Sequence, residues 1–181
     1  MSITFTPMAN SEHDTRDLVE FLTTNRFPFH VRPGHSEESA RASVASGRFW
    51  SAESLGYWVN DGGSRIGLVV LEDLEDDTPM FDLRLAEEFR GKGLGPEVLT
   101  ALCAKVFDQF PEPVRFEGQT REDNIAMRKT FLRAGFLKEA HYRLGWPTAE
   151  GTRVASVAYA ILRQDWENNA TTYFDWDDLP V

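Results

Sequence analysis

The chain has 181 residues, 41% hydrophobic and 27% charged, which suits one domain with a sizeable core and excludes wholesale disorder. Against 29 Asp and Glu there are 19 Lys and Arg, and the formal net charge of −10 repels phosphate backbones and anionic lipid, disfavouring nucleic-acid and membrane partners. The lone cysteine, Cys103, excludes an internal disulfide and fits a reducing cytosol, and no segment approaches the length of a membrane span. The first residues lack a basic start followed by an apolar run, so no secretory signal is expected and the expected location is cytoplasmic.

In chain order, Ile3 to Thr6 alternates apolar and polar and predicts a short strand. Asp14 is read as the cap of a helix that places Leu18, Phe21 and Leu22 on one face. Residues 26–34 form a loop rich in aromatic and basic side chains, among them Phe29 and His30, and Ser36 opens a second helix running to about Ser46. Leu55 to Asn60 and Arg65 to Glu72 read as a hairpin turning at Asp61-Gly62-Gly63. Glu72 to Asp77 is an acidic connection, and Pro79 to Leu85 is the next strand. A glycine-rich stretch leads into a helix with Val98, Leu99, Leu102, Val106 and Phe107 on one face, where Cys103 reads as a buried structural thiol. Pro111 and Pro113 end that helix, Val114 to Thr120 is a strand, and Asn124 to Ala134 is a helix closed by Gly135. Phe136 to Trp146 and Arg153 to Leu162 form a final strand pair. The order predicts an α/β (α+β) single domain, with a mixed, mostly antiparallel sheet of about seven strands flanked by about four helices. Residues 164–181 differ: they are acidic yet carry Trp166, Tyr173, Phe174 and Trp176, and are expected to pack on the domain, residues 1–163, or on a second subunit in a homodimer.

The loop Arg90-Gly91-Lys92-Gly93-Leu94-Gly95 lies between a strand end and a helix start. Glycines there let the backbone approach a ligand, unpaired N–H groups at a helix N-terminus favour a phosphate anion, and Arg90 and Lys92 add charge. Pro96 suits the first helical turn. A plain tight turn is the bland alternative. A Walker A loop does not fit, because no Gly-Lys-Ser/Thr follows, and the dinucleotide glycine spacing is absent.

The loop resembles the Gln/Arg-x-x-Gly-x-Gly/Ala pattern of the GNAT N-acetyltransferases, with Arg90, Gly93 and Gly95 in register. Asn124 to Phe136 resembles a second block of that family, Asn-x-x-Ala-x-x-x-Tyr-x-x-x-Gly-Phe; Asn124, Gly135 and Phe136 match, whereas Met127 and Phe131 replace its small residue and its tyrosine. Val154 to Leu162 resembles, more loosely, the subgroup that acetylates ribosomal-protein N-termini. The resemblance implies a fold whose fourth and fifth strands splay apart around acetyl-coenzyme A, with no metal. It implies that Leu83, Arg84 and Leu85 pair with the pantetheine arm and residues 91–95 hold the pyrophosphate. It places Asn124 and Phe131 against the cofactor and Phe29 and His30 at the acceptor site. For Asn124 a helix N-cap is an equal alternative.

The implied reaction is direct attack of a primary amine, on a small molecule or a protein N-terminus, in a ternary complex. It needs a base and an oxyanion donor but no protein nucleophile. Phe131 cannot donate a proton where the family often has tyrosine, and Gln119, where related enzymes can carry glutamate, can orient a water but cannot act as a base. Asp82 and Glu117 are the base candidates, Glu117 sharing strand parity with Gln119; an outward, solvated carboxylate competes for both. His30 is a possible proton relay, and core packing is expected for Tyr142 and Tyr159. Two further readings stand beside the enzyme: a coenzyme A-binding sensor or assembly module with reduced catalysis, and a nucleotide-binding domain using the same loop.

Overall fold

The computed structural model describes residues 2–176; Met1 and residues 177–181, the end of the acidic tail, lie outside the described residues. The elements are β1 (Ile3–Pro7), α1 (Glu12–Thr24), α2 (Glu37–Ala45), β2 (Leu55–Asp61), β3 (Ser64–Glu72), β4 (Met80–Leu85), a 3-10 turn (Glu87–Phe89), α3 (Leu94–Gln109), β5 (Arg115–Arg121), α4 (Ile125–Arg133), β6 (Leu137–Pro147), β7 (Arg153–Leu162) and α5 (Arg163–Asn168). Among the described residues no helix is long and apolar enough to cross a membrane.

The strands form one sheet in the order β1-β2-β3-β4-β5-β7-β6. All neighbours are antiparallel except β4 and β5, which run parallel and share a single register pair, Met80 with Glu117. Beyond that pair the two strands diverge. The ladder to β3 continues along β4 to Leu85, so one edge of β4 is paired while the other opens into a cleft.

Helices cover both faces of the sheet, which is why β3 is a nearly continuous apolar run. On one face Leu94, Val98, Leu102 and Val106 of α3 and Phe131 of α4 pack with Val69, Leu71 and Phe116. On the other, Leu18 and Leu22 of α1 and Ala40 and Val44 of α2 pack with Trp58, Leu68 and Val70. The alternation of Leu68 and Val70 with Val69 and Leu71 is the two-residue period of a strand buried on both sides. The β2–β3 hairpin turns at Gly62 (φ 56°) and Gly63 (φ 90°), where a two-residue turn requires left-handed backbone.

Two expectations are corrected, and the tail adds a helix to the expected four. The cap of α1 is Ser11, whose hydroxyl accepts from Asp14 N at 3.1 Å. Asp14 sits inside the first turn, and its carboxylate accepts from Ala9 N at 2.8 Å and from Trp58 Nε1 at 3.0 Å, tying the helix start to the sheet. Tyr142 is 49% exposed on edge strand β6 rather than packed in the core. The tail begins as a fifth helix: Trp166 lies 5.3 Å from the Phe107 ring, and Arg163 donates to the carbonyls of Pro113, Phe107 and Phe110 at the end of α3. Further on, Tyr173, Phe174 and Trp176 are exposed.

Candidate active site

The cleft between β4 and β5 is closed at one end by the glycine loop. Gly91 (φ 72°) and Gly93 (φ 81°) hold left-handed backbone, and a Cβ on either would meet nothing within 4 Å. The glycines are needed for conformation, and the space beside them is open. Gly93 caps α3 without a side-chain bond, so the first amides of that helix have no side-chain partner. Gly95 has a steric role: a Cβ there would lie 2.8 Å from Thr130 Oγ1, so the first turn of α3 seats directly on α4. Arg90 Nε donates to Leu85 O at 2.8 Å, fixing its guanidinium at the β4 terminus. Its Nη2, like Nη1 of Arg84, is buried without a hydrogen-bond partner, and both guanidinium groups lie over the Phe27 ring, at 5.2 Å and 5.0 Å. This part of the cleft encloses about 410 Å³ and runs along Leu83, Arg84 and Leu85 to Arg90, Gly91, Gly93 and Gly95; Lys92 does not line it.

A second cavity of about 690 Å³ adjoins it. Phe29, His30, Leu83, Arg84, Asn124 and Met127 line both, so the two spaces meet at these residues. At the floor of the second cavity Asp82 gathers three side-chain donors. Arg48 Nη2 donates to Oδ2 at 2.5 Å, Arg84 Nη2 to Oδ2 at 2.8 Å, and His30 Nε2 lies 2.9 Å from Oδ1. The Asp82 side chain is only 11% exposed. Burial pushes its carboxyl up, but Arg84 and then His30 outweigh that and hold it well below the usual carboxylate range. An ionised carboxylate only accepts, so the His30 Nε2 carries the shared hydrogen and its Nδ1 is left as an acceptor in neutral imidazole. The Phe27 ring meets the His30 ring edge-on at 5.6 Å, which fixes the imidazole plane.

The other sequence-derived candidates fall at different places. Glu117 and Gln119 share a face of β5, with Gln119 Nε2 3.1 Å from Glu117 Oε1. Gln119 borders the second cavity; Glu117 does not, and it pairs with Arg115 at 3.1 Å. Asn124 is the N-cap of α4, accepting from Met127 N at 3.2 Å while its amide nitrogen donates to Thr120 Oγ1 at 2.9 Å. It also faces both cavities. Phe131 is away from the cleft lining: it is fully buried and stacks on Tyr159, with ring centroids 4.7 Å apart and planes 1° from parallel. Its position is a core position, because the face of α4 that carries it turns onto β5 and β7. The Tyr159 hydroxyl is engaged by Arg128 Nε at 3.2 Å.

Arg48, Glu72 and Trp146 line the second cavity and were not singled out from the sequence. Arg48 follows α2 and reaches Asp82 across 34 residues of chain. Trp146 arrives through an irregularity in β6: register passes from Tyr142–Ser156 to Trp146–Val154, with Leu144 at φ 53°. Arg153 Nε clamps that bulge through Leu144 O at 2.6 Å. No local signal marks any of the three. Among the described residues no group of three or more His, Cys, Asp or Glu is placed to hold a metal ion.

The open edge of β4, the glycine loop at the α3 N-terminus and the adjoining charged cavity define an acyl-CoA-dependent N-acetyltransferase. A family model described as an acetyltransferase (GNAT) domain matches residues 3–137. The chain belongs to the GNAT acetyltransferase family. A spermidine N-acetyltransferase from Vibrio cholerae, solved with CoA and spermine, superposes with a TM-score of 0.76 at 18% identity, covering 92% of this chain and 98% of that one. RimL, a ribosomal L7/L12 α-N-protein acetyltransferase solved with coenzyme A, gives 0.75 at 18% identity, covering 90% and 94%. A probable acetyltransferase gives 0.72 at 21% identity, covering 90% and 93%. At these identities the likeness is one of fold. No curated protein matches the sequence.

Proposed function

We propose that the protein transfers an acetyl group from acetyl-coenzyme A to a primary amine by direct attack in a ternary complex. The observation that carries this reading is the continuity of the two cavities at His30, Arg84 and Asn124. The first cavity fits the cofactor on its own terms. Its glycines leave open space beside unpaired α3 amides, and the buried Nη2 of Arg90 has no partner. A diphosphate would take the amides of residues 91–95, with Arg90 and Lys92 adding charge. The unpaired edge of β4 at Leu83–Leu85 would meet the amide-bearing arm as a strand would. Bound acetyl-coenzyme A supplies an activated thioester carbonyl.

The chain's own residues then supply what the reaction needs. His30, held by ionised Asp82, takes the proton of the incoming ammonium or amine at Nδ1. Asp82 acts through His30: a carboxylate held so far below its ordinary range is itself a poor base. Gln119, at the cavity wall, can orient a water, and Glu117 sets the Gln119 amide. A backbone N–H on the free edge of β4 is the oxyanion donor. Phe131 supplies no proton to the leaving sulfur, having no hydroxyl and lying in the core. The acceptors of the superposed enzymes, a polyamine and a protein N-terminus, support an amine-bearing substrate here.

The test is calorimetric titration of acetyl-coenzyme A into the wild type and into Gly93→Asp. Aspartate tolerates the left-handed backbone of Gly93 better than most residues and puts a carboxylate where the diphosphate is expected. Binding to the wild type that falls at least tenfold in a folded variant supports the reading. No binding to the wild type removes it. Binding without turnover of any amine leaves the sensor or assembly module as the function.

A further inference from the structure

We propose that the acceptor carries a carboxylate in addition to its amine, and that Arg32, Arg48 and Arg84 of the second cavity receive it. This rests on the acetyltransferase reading above and names its substrate class.

The surface as a whole is acidic, with a formal net charge of −10, yet this cavity is lined by three arginines. Two carboxylates face them, Asp82 and Glu72, and both are already engaged. Asp82 accepts from Arg84, Arg48 and His30, and Glu72 accepts from Arg48 Nη2 at 2.9 Å. Three guanidinium groups against two carboxylates leave the cluster one negative charge short. The donor count shows the same deficit. Arg84 is more than nine-tenths buried and its Nη1 has no partner; Arg48 Nε and Trp146 Nε1, in the same wall, also have none. Buried donors without acceptors are rare in folded proteins, and a water or an ion commonly completes those that occur.

The imidazole of His35 reports the same field. Burial first, then Arg84, Arg32 and Arg48, push it down from its ordinary value. A second ammonium, such as a polyamine presents, would enter this space against three guanidinium groups with no uncommitted carboxylate to meet it. A carboxylate would find a positive wall whose planar donor forks match its geometry. Arg32 lies on the exposed loop before α2, at the rim of the cavity, where it would be met first.

The experiment loads the protein with coenzyme A and titrates in, by calorimetry, each of the twenty amino acids, the matching amino acid amides, and spermidine. The same compounds are then offered as acceptors with acetyl-coenzyme A. The amides keep the amine and lose the carboxylate, and their amines are the less basic, so intrinsic reactivity favours them. The expected result is that at least one amino acid binds and reacts at least about tenfold better than its amide and than spermidine. Arg32→Glu is expected to reduce that preference about tenfold. Amides or spermidine used as well as the acids would overturn the proposal, as would no acid binding to a protein that holds coenzyme A, or an unchanged preference in Arg32→Glu. Failure to bind coenzyme A at all removes the acetyltransferase reading, and this proposal with it.

Discussion

His30 Nε2 lies 2.9 Å from Asp82 Oδ1, joining the loop after α1 to the middle of β4 across 52 residues of chain. The contact orients an imidazole at the junction of the two cavities. His30→Gln is expected to lower kcat by about a hundredfold while leaving coenzyme A affinity and the melting temperature close to wild type. The loss should appear in kcat and not in the KM for acetyl-coenzyme A. A variant that keeps the wild-type kcat would show that His30 does not move the proton.

Asp82→Asn should cost about 3–5 kcal/mol of folding stability, because it leaves Arg84 buried beside an uncharged amide. The pH dependence follows from the direction of the shift. Asp82 titrates lower in the folded chain than in the unfolded one, so its contribution is present above the ordinary carboxylate range and fades as pH falls through its depressed folded value. Urea melts taken from about pH 7 down to about pH 3 should show the gap between wild type and variant narrowing once pH falls below the ordinary carboxylate range, without closing. A gap that stays constant over the whole range would contradict this assignment.

Cys103 is 1% exposed in the α3 face of the core, and burial pushes its thiol up to about 12. The thiolate is therefore absent near neutral pH. A chromogenic disulfide reagent should label none of the native protein at pH 8 within minutes and one thiol per chain in denaturant. Because the folded value is raised, the thiol's contribution to stability is complete below its unfolded value and declines as pH rises toward about 12. Rapid labelling of the native state would mean that α3 opens locally.

Gly95→Ala should destabilise the protein by about 1–3 kcal/mol, since its Cβ would lie 2.8 Å from Thr130 Oγ1 and 3.3 Å from Thr130 Cγ2. Replacing Thr130 by alanine as well removes both colliding atoms and should restore most of the loss. A double-mutant cycle by chemical denaturation measures the coupling directly. Additive losses would place the strain elsewhere in the loop.

Much of this architecture is legible in local sequence. The hairpin at Gly62-Gly63, the two-residue alternation of Ile3 to Thr6 and the 3.6-residue face of α3 each follow from backbone sterics and from burial on one side. The glycine loop is legible for the same reason: left-handed backbone at Gly91 and Gly93 admits few other residues. Asn124 was open between cap and cleft in the sequence, and it is a cap that also faces both cavities.

What the sequence could not determine depends on which residues meet across long stretches of chain. Ser11 and Asp14 are both good caps, and the choice between them was made by the Trp58 indole that holds Asp14 inside the turn. Motif register places Phe131 beside the cofactor, but whether its ring faces the cleft or the core depends on how α4 sits over Tyr159. Asp82 alone reads as a solvated carboxylate; only the convergence of Arg48, Arg84 and His30 makes it a buried, ionised anchor. Periodicity and glycine placement act over a few residues and are written locally, whereas charge balance in a cavity is a sum over distant segments that exists only once the chain has folded.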